Sequence, residues 1–364
     1  MYLQDIEQHL TRWYDEGVSV HFESSPGMGK TSIMEQAARI VGAKLGLNLG
    51  ITIINGAQLT PMHTIGFGVP KHHDNWSQMV FTDPFFMTTR EGKRLSEYDG
   101  GWVFVDEVDK ADVDVKKILG EGALSGRFGP HELPAGWRLW TAGNRSTDRS
   151  GSTKELDHLI NRRMRIDVQP HIPSWVNWAN KNGALPITKS FVEAYGAEIV
   201  FSGKVPDKQG PWATPRSMMA VDRKLQTIMR YYDDTIPDEP FVAEEIAGLI
   251  GDAATNQFMV HLKLELKLPK FEQIVADPAG AKVPGPEAPD ARMLVCYNAA
   301  HRVCKQTVDK VIQYVERLPD PFAVTFMKAA LQRDPMLAVT PPMQKWINSN
   351  NALMTLMHSL QINK

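Results

Sequence analysis

Short apolar runs alternate with a longer helical pattern in the first 170 residues. Residues 18–22, 101–105 and 137–143 are runs typical of strands that are buried on both faces of a parallel sheet. Residues 33–45 repeat apolar positions at the spacing of a helix. Because strands and helices follow one another in turn, the pattern predicts an α/β core with a parallel sheet between helices.

After residue 170 the pattern changes to helices. Pro170 and Pro173 end the first pattern, and helices are predicted over residues 175–179, 217–231, 246–262, 291–314 and 322–331. Residues 277–290, rich in Pro, Gly and Ala, predict an irregular linker, and Pro341-Pro342 predicts an interruption before a last helix. Three domains are therefore expected, over residues 1–170, 171–265 and 266–364.

Composition limits the classes of function. The 364 residues are 43% hydrophobic, which is enough for a full core and for more than one domain. Forty-two acidic and forty basic residues give a net charge of −2, without a long block of either sign. This balance argues against a nucleic-acid coat protein, which needs a basic stripe, but it leaves open a pore that threads DNA.

The N-terminal sequence and the two cysteines allow a prediction of the cellular compartment. Residues 1–7 lack a basic region followed by an apolar core, and no later apolar stretch is long enough to span a bilayer. Cys296 and Cys304 are too few and too close for a disulfide framework or a zinc site, even with His301 between them. We expect a soluble cytoplasmic protein without a membrane partner, and we interpret the polar residues 72–74 (His-His-Asp) as a solvated loop.

Residues 24–32 carry the strongest chemical signal, because they lie between the first predicted strand and its helix, as a phosphate-binding loop requires. Lys30 would reach the β and γ phosphates, and the Thr31 hydroxyl would ligate Mg²⁺. Ser24 stands where the usual pattern G-x-x-x-x-G-K-[ST] begins with glycine, although serine is small enough for the loop. The alternative is an ordinary turn that carries a lysine, which the flanking elements disfavour. The residues expected to bind the nucleotide are Ser25, Pro26, Gly27, Met28, Gly29, Lys30, Thr31 and Ser32.

Polar side chains end the other two predicted strands. Asp106 and Glu107 follow one of them, where Asp106 would hold Mg²⁺ and Glu107 would orient and polarise the attacking water. Asn144 ends the other and would hydrogen-bond that water or the γ-phosphate. By itself, each could be only a polar turn after a strand. Together with the phosphate loop, they predict a nucleoside-triphosphate hydrolase.

Arginines and lysines are dense after Asn144. Most should be solvated or paired on the surface, but one or two could reach the γ-phosphate of a neighbouring subunit as arginine fingers. The set consists of Arg145, Arg149, Lys154, Arg162, Arg163 and Arg165. Further along, Thr214-Pro215-Arg216 places an arginine in the first turn of a predicted helix, where it could also be a plain helix-start signal.

The order of these elements resembles that of an AAA+ ATPase, and most closely the MoxR branch found in phages and bacteria. The specific likenesses are TAGNR at 141–145, TDRSG at 147–151, LINRR at 159–163 and ATPR at 213–216. The resemblance covers roughly residues 18 to 260 and is strong as a set, although each motif alone is modest.

The resemblance assigns roles to residues of this chain. Lys30 with Thr31 matches the Walker A pair, Asp106 with Glu107 the Walker B pair, and Asn144 the residue called sensor 1. Arg162 stands at the finger position, in a triplet that reads Asn161-Arg162-Arg163 where the family has an Asp-Arg-Phe-like one, so Arg163 is a rival. Arg216 matches the sensor 2 arginine, which touches the γ-phosphate in cis. The expected catalytic set is Lys30, Glu107, Asn144, Arg162 and Arg216.

The same resemblance implies an architecture and partners. It implies a P-loop NTPase αβα core at residues 1–170, a helical lid at 171–265 and a mostly helical C-terminal extension at 266–364. Residues 58–89 lie where the family has an insert, and residues 126–134 where it has a hairpin. ATP with Mg²⁺, a ring that is usually a hexamer, and a protein client with a von Willebrand factor A-type domain are implied.

Two other functions stay open at this stage. Residues 144–149 have some likeness to the methyl-directed restriction GTPases, which favours a nucleic-acid-linked NTPase or a DNA motor subunit. A nucleotide-gated scaffold with little turnover is the third hypothesis, and the presence of every expected catalytic position argues against it.

Overall fold

The computed structural model of the protein describes residues 1–145, 160–203, 206, 209–265, 267–350 and 353–354. The chain divides into two units, Met1–Pro170 and His171–Lys364. All the strands that the structure describes lie in the first unit, and the regular elements described in the second are helical.

The first unit combines strands and helices along its described residues. Its helices are α1 (Leu3–Asp15), α2 (Lys30–Leu45), α3 (Pro61–Ile65) and α4 (Val113–Ser125). Its strands are β1 (Val20–Ser24), β2 (Leu49–Asn55), β3 (Gly68–His73), β4 (Trp76–Phe81), β5 (Gly100–Asp106), β6 (Arg127–Phe128), β7 (His131–Glu132), β8 (Trp137–Asn144) and β9 (Met164–Asp167).

Five of these strands form one parallel sheet in the order β2-β5-β8-β1-β9. The register pairs Ser24 with Asn144 and Asn55 with Asp106, so the carboxyl ends of four strands lie along one edge. The chain leaves β1 in the interior of the sheet for β2 at the far edge, and the strand order therefore reverses beside β1. In open α/β sheets, ligands bind outside the strand ends at such a reversal.

Apolar layers cover both faces of this sheet. Trp102 and Phe104 of β5 belong to the cluster under α1 and α2, whereas Val103 and Val105 belong to the cluster under α4. A strand that is buried on both faces must be apolar at every position, which explains the continuous run in the sequence. The predicted fold class is confirmed as an α/β core, with a five-stranded parallel sheet between helices, followed by a helical region.

Two antiparallel hairpins lie outside the sheet among the described residues of this unit. The hairpin predicted within residues 126–134 is confirmed as β6 with β7. The predicted insert at residues 58–89 contains α3 and the hairpin of β3 with β4. That second hairpin exposes large apolar side chains, including Trp76, which is 57% exposed and stacks on the His73 ring at 4.1 Å. His72, His73 and Asp74 lie at its tip and are exposed, as predicted, but His72 and His73 belong to β3 and not to the predicted loop.

The second unit is helical along its described residues. Its helices are α5 (Ile172–Lys181), α6 (Pro186–Ile199), α7 (Pro215–Tyr231), α8 (Pro240–Ile250), α9 (Asp252–Glu265), α10 (Phe271–Ala276), α11 (Pro289–Arg302), α12 (Val308–Val315), α13 (Asp320–Arg333) and α14 (Pro341–Ser349). Within the part of the chain that the structure describes, no helix combines the length and apolar content that crossing a membrane requires.

Three helix predictions in this unit were wrong. The predicted helix at 246–262 is two helices, because Gly251 adopts a left-handed φ of 80° between them. The predicted helix at 291–314 stops at Arg302, where the Arg333 guanidinium donates hydrogen bonds to the carbonyls of His301 and Val303. Pro341 and Pro342 begin a helix instead of preceding one, since the first helical positions need no backbone N–H.

Helices from before and after residue 266 pack against each other. The Tyr297 hydroxyl on α11 donates a hydrogen bond to Glu193 on α6, and burial raises the pKa of that carboxyl. Asn180 on α5 donates to Gln332 on α13 at 2.9 Å. The division of this unit into a lid and an extension stays a prediction.

A buried histidine in the second unit predicts a loss of stability in acid. His261 on α9 is 0% exposed, and its Nε2 lies 2.8 Å from Ser190 Oγ. Burial lowers the pKa of His261 to about 4, against the weaker opposing effect of Asp290. Between pH 6.5 and 4 the unfolded chain takes up a proton that the folded chain does not. The free energy of unfolding should therefore fall over this range, by up to roughly 3 kcal/mol from this group.

We expect His261→Gln to reduce that fall, because glutamine can still donate to Ser190 but does not titrate. Urea unfolding followed from pH 7 to pH 4 measures the effect. His72→Gln, at an exposed position, is the matched control and should leave the slope unchanged. Equal slopes in His261→Gln and the wild type would contradict the assignment.

Candidate nucleotide site

The loop between β1 and α2 has the backbone of an anion site. Gly27 and Gly29 adopt left-handed φ values of 77° and 91°, and α2 begins directly after them at Lys30. A side chain at Gly29 would be strained by this φ, and its Cβ would lie 3.0 Å from Leu3 Cδ1. Backbone N–H groups and the positive end of the helix dipole meet at this loop, and this combination binds phosphate.

Lys30 is held by oxygen atoms at the end of β1 and β8. Its ammonium group donates hydrogen bonds to Ser24 Oγ at 2.8 Å, to Asn144 Oδ1 at 3.1 Å and to the Ser24 carbonyl at 3.2 Å. Ser24 closes β1 in an extended conformation that any residue can adopt, which explains why glycine is not needed there. These partners are neutral, so anionic phosphate oxygens would compete well for the lysine.

Thr31 and Asp106 meet at the start of α2. The Thr31 hydroxyl donates to Asp106 Oδ2, while Asp106 Oδ1 accepts the Glu107 N–H at 2.8 Å. A hydroxyl and a carboxylate side by side are the oxygen ligands that Mg²⁺ takes in combination with phosphate and water. The residues present therefore fit the predicted Mg²⁺. Across the described ranges, no cluster of three or more His, Cys, Asp or Glu side chains forms a further metal site.

Both carboxylate oxygens of Glu107 have partners that the sequence did not reveal. Oε1 lies 3.0 Å from the Lys110 ammonium, and Oε2 accepts from Asn55 Nδ2 at 3.4 Å. The Glu107 backbone has a left-handed φ of 52°, which is uncommon for a residue with a side chain. Asn55 could have been noticed, because it ends β2 as Asn144 ends β8.

A hydrogen bond from the backbone of Asn144 fixes the position of this residue. Its N–H donates to Asp109 Oδ1 at 3.1 Å, and burial raises the pKa of that carboxyl. Gly143 packs closely against this carboxyl, since a Cβ there would lie 3.1 Å from Asp109 Oδ1 and the Asp109 side chain would have to shift. The Asn144 amide therefore points at the loop from a rigid strand end.

Arg162 and Arg163, the two candidates for the arginine finger, have different surroundings. Arg163 is 8% exposed and donates to Thr141 Oγ1 on β8 at 2.6 Å. The side chain of Arg162 is 30% exposed and lies 3.5 Å from Glu121 on α4. Of the two arginines, Arg162 is the one whose guanidinium reaches the surface.

Other cations predicted in this stretch are paired at the surface, as expected for most of them. Arg145 bridges to Asp167 at 2.6 Å, and Arg165 contacts Glu23. Arg149, Lys154 and the likeness at residues 147–151 lie outside the described residues.

Arg216 belongs to the second unit. It is exposed in the first turn of α7, where the Thr214 hydroxyl caps the helix by accepting the Ser217 N–H at 3.1 Å. The predicted helix start is confirmed. The contact of Arg216 with the γ-phosphate stays a prediction.

The structure thus brings together the loop residues 25–32, Asp106, Glu107 and Asn144 at one edge of the sheet. The geometry suits binding of a triphosphate beside a carboxylate that can orient water.

Comparisons with known proteins add likenesses of fold. No protein-family model and no curated protein matches the chain. RuvB of Thermotoga maritima, a Holliday junction branch migration motor, is 15% identical over 76% of this chain and 75% of its own, with a TM-score of 0.36. NtrX of Brucella abortus, solved with ADP, is 15% identical over 95% of this chain and 67% of its own, with a TM-score of 0.36. Likenesses of this size carry no argument about activity.

Proposed function

We propose that the chain is a MoxR-like AAA+ ATPase that hydrolyses ATP at the subunit interfaces of a ring, a hexamer, and so remodels a protein client. The observation that carries the proposal is the meeting of Lys30, Thr31, Asp106, Glu107 and Asn144 at the carboxyl ends of neighbouring strands. The motif resemblance in the sequence supports the branch.

The residues of the loop would bind and orient the triphosphate. Backbone N–H groups of the loop and Lys30 would hold the phosphates, and Thr31 with Asp106 would hold Mg²⁺. When bound, the metal neutralises charge that develops on the phosphate oxygens. Glu107 would accept a hydrogen bond from the attacking water and later its proton, and the Asn144 amide would orient that water without adding charge.

Two arginines would complete the site, one from the neighbouring protomer and one from a later part of the same chain. Arg162 would reach the γ-phosphate of the neighbouring protomer, which explains why the enzyme needs a ring. Arg216 would touch the γ-phosphate in its own chain, and loss of that phosphate would release it. Hydrolysis would then move the predicted lid against the core and act on the client.

Exposed apolar residues support a protein client. Large side chains with 42% to 58% exposure cluster around the β3–β4 hairpin, at Met62, Phe67, Val69, Trp76, Met79, Val80 and Phe85. Apolar surface of this kind is typical of protein contacts, whereas nucleic-acid contacts need basic surface. A client with a von Willebrand factor A-type domain is part of the proposal on the ground of the resemblance.

The test is nucleotide hydrolysis by the wild type in Mg²⁺, over a range of protein concentrations. We expect ATP to be hydrolysed, with a rate per protomer that rises with concentration as rings form. Lys30→Ala gives the background, and exposed Lys44→Ala on α2 is its matched control. A preference for GTP, or strong stimulation by DNA, would favour the nucleic-acid-linked NTPase. Absence of turnover at every concentration would contradict the enzyme assignment.

A further inference from the structure

A polar chain of three side chains crosses the sheet where apolar residues would be expected. His21 on β1, Thr141 on β8 and Arg163, directly before β9, are 5%, 0% and 8% exposed. Thr141 Oγ1 is the common partner, at 2.6 Å from the Arg163 guanidinium and 2.9 Å from His21 Nδ1. Polar side chains that are buried this deeply are normally hydrogen-bonded, as these are.

The three side chains can all be satisfied by hydrogen bonds. The Thr141 oxygen accepts from Arg163, and its hydroxyl can donate to His21 Nδ1 when the neutral imidazole carries its proton on Nε2. The pKa of His21 is held well below its usual value, first by burial and then by the nearby charges of Arg163, Arg165 and Lys30. Arg163 therefore sits beside a neutral histidine instead of a second cation.

These three hydrogen-bonded side chains connect β1 and β8, the two strands that lead to the nucleotide site. Thr141 lies three positions before Asn144 on β8, and His21 lies three positions before Ser24 on β1. Arg163 directly follows Arg162, whose side chain forms a surface pair with Glu121 at 3.5 Å. A surface ion pair of this kind contributes little to fixing a side chain.

We infer that Arg163 is a positioning residue: by binding Thr141, it fixes the turn from which Arg162 reaches the neighbouring protomer. The inference rests on the proposed function and deepens it, since it explains why the second of the paired arginines is not a finger. An arginine can occupy this buried place because β8 supplies a hydroxyl acceptor.

Variants that remove the Arg163–Thr141 hydrogen bond should slow turnover without weakening ATP binding. Displacement of a catalytic group by about 1 Å can cost roughly 100-fold in rate, so we expect Arg163→Met and Thr141→Val to lower kcat by about 10- to 100-fold. KM for ATP should stay within about twofold, because the loop is untouched. Thr141→Ser keeps the hydroxyl and should keep most of the rate, and Arg12→Met, at an exposed arginine, is the control.

Mixed rings show on which active site Arg163 acts. Glu107→Gln subunits keep an intact Arg162 segment but have a disabled site of their own. When they are mixed with Arg163→Met subunits, the intact segment can serve the intact site of the neighbour, so we expect more activity than the sum of the two variants measured separately.

Two results would overturn the inference while leaving the proposed function in place. One is a full rate in Arg163→Met with an active wild type, and the other is an absence of recovery on mixing, which would place the effect within the same subunit. Thermal unfolding of each variant separates misfolding from misplacement, and Thr141→Val, a near-isosteric change, must agree with Arg163→Met. A wild type without hydrolysis would overturn the proposed function, and this inference with it.

Discussion

Replacing Arg162 with alanine is expected to lower ATP turnover per protomer by about 10³ to 10⁵. The guanidinium would add positive charge from the neighbouring protomer to that of Lys30 and Arg216, and so neutralise negative charge that develops on the transferred phosphoryl group. In the structure, the Arg162 side chain is 30% exposed, and its pair with Glu121 spans 3.5 Å. Such a pair is weak enough to be exchanged for a phosphate.

Steady-state hydrolysis at saturating ATP, with protein above the concentration at which rings form, measures this effect. Binding of a fluorescent ATP analogue should be nearly unchanged, because Arg162 lies away from the loop of its own subunit. Arg12→Ala, at an exposed arginine of α1, is the matched control and should keep the full rate. A normal rate in Arg162→Ala would show that the finger is elsewhere, for example among the cations that lie outside the described residues.

Replacing Glu107 with glutamine is expected to lower hydrolysis by about 10² to 10⁴ while ATP stays bound. Glutamine has nearly the same shape but cannot take a proton from water. Its carbonyl can still accept from Lys110 or from Asn55, and only the other of these two solvent-accessible contacts is lost, so the local fold should be retained. The loss would therefore report on proton transfer and the orientation of water.

A single-turnover experiment with pre-bound ATP isolates this step from nucleotide exchange. Glu35→Gln, at an exposed glutamate of α2, controls for the loss of a negative charge and should hydrolyse normally. Unchanged single-turnover rates in Glu107→Gln would rule out Glu107 as the base. Loss of ATP binding in the same variant would show that Glu107 supports the fold of the site instead.

Much of the core could be predicted from the sequence because its signals are local. The glycines of the loop, the helix that follows and the apolar strand before Asp106 each depend on neighbouring residues, and the structure has them as predicted. Helix ends in the second unit were harder. A contact from Arg333 ends α11, and this residue lies about 30 positions further along the chain.

The partners of the site residues could not be predicted in this way. Asn55 meets Glu107 across 52 positions of sequence, and Asp109 meets the N–H of Asn144 across 35. These pairs exist because the order of strands in the sheet places the ends of β2, β5 and β8 side by side.

The sequence by itself determined which residue types end the strands, and hence that a triphosphate site was to be expected. Only the tertiary structure showed that Arg162 and Arg163, two neighbours with the same chemistry, have different surroundings. The physical reason is the cost of burying a guanidinium, which is tolerated only where a hydrogen-bond acceptor is provided. Thr141 on β8 provides that acceptor to Arg163, and Arg162 is left at the surface.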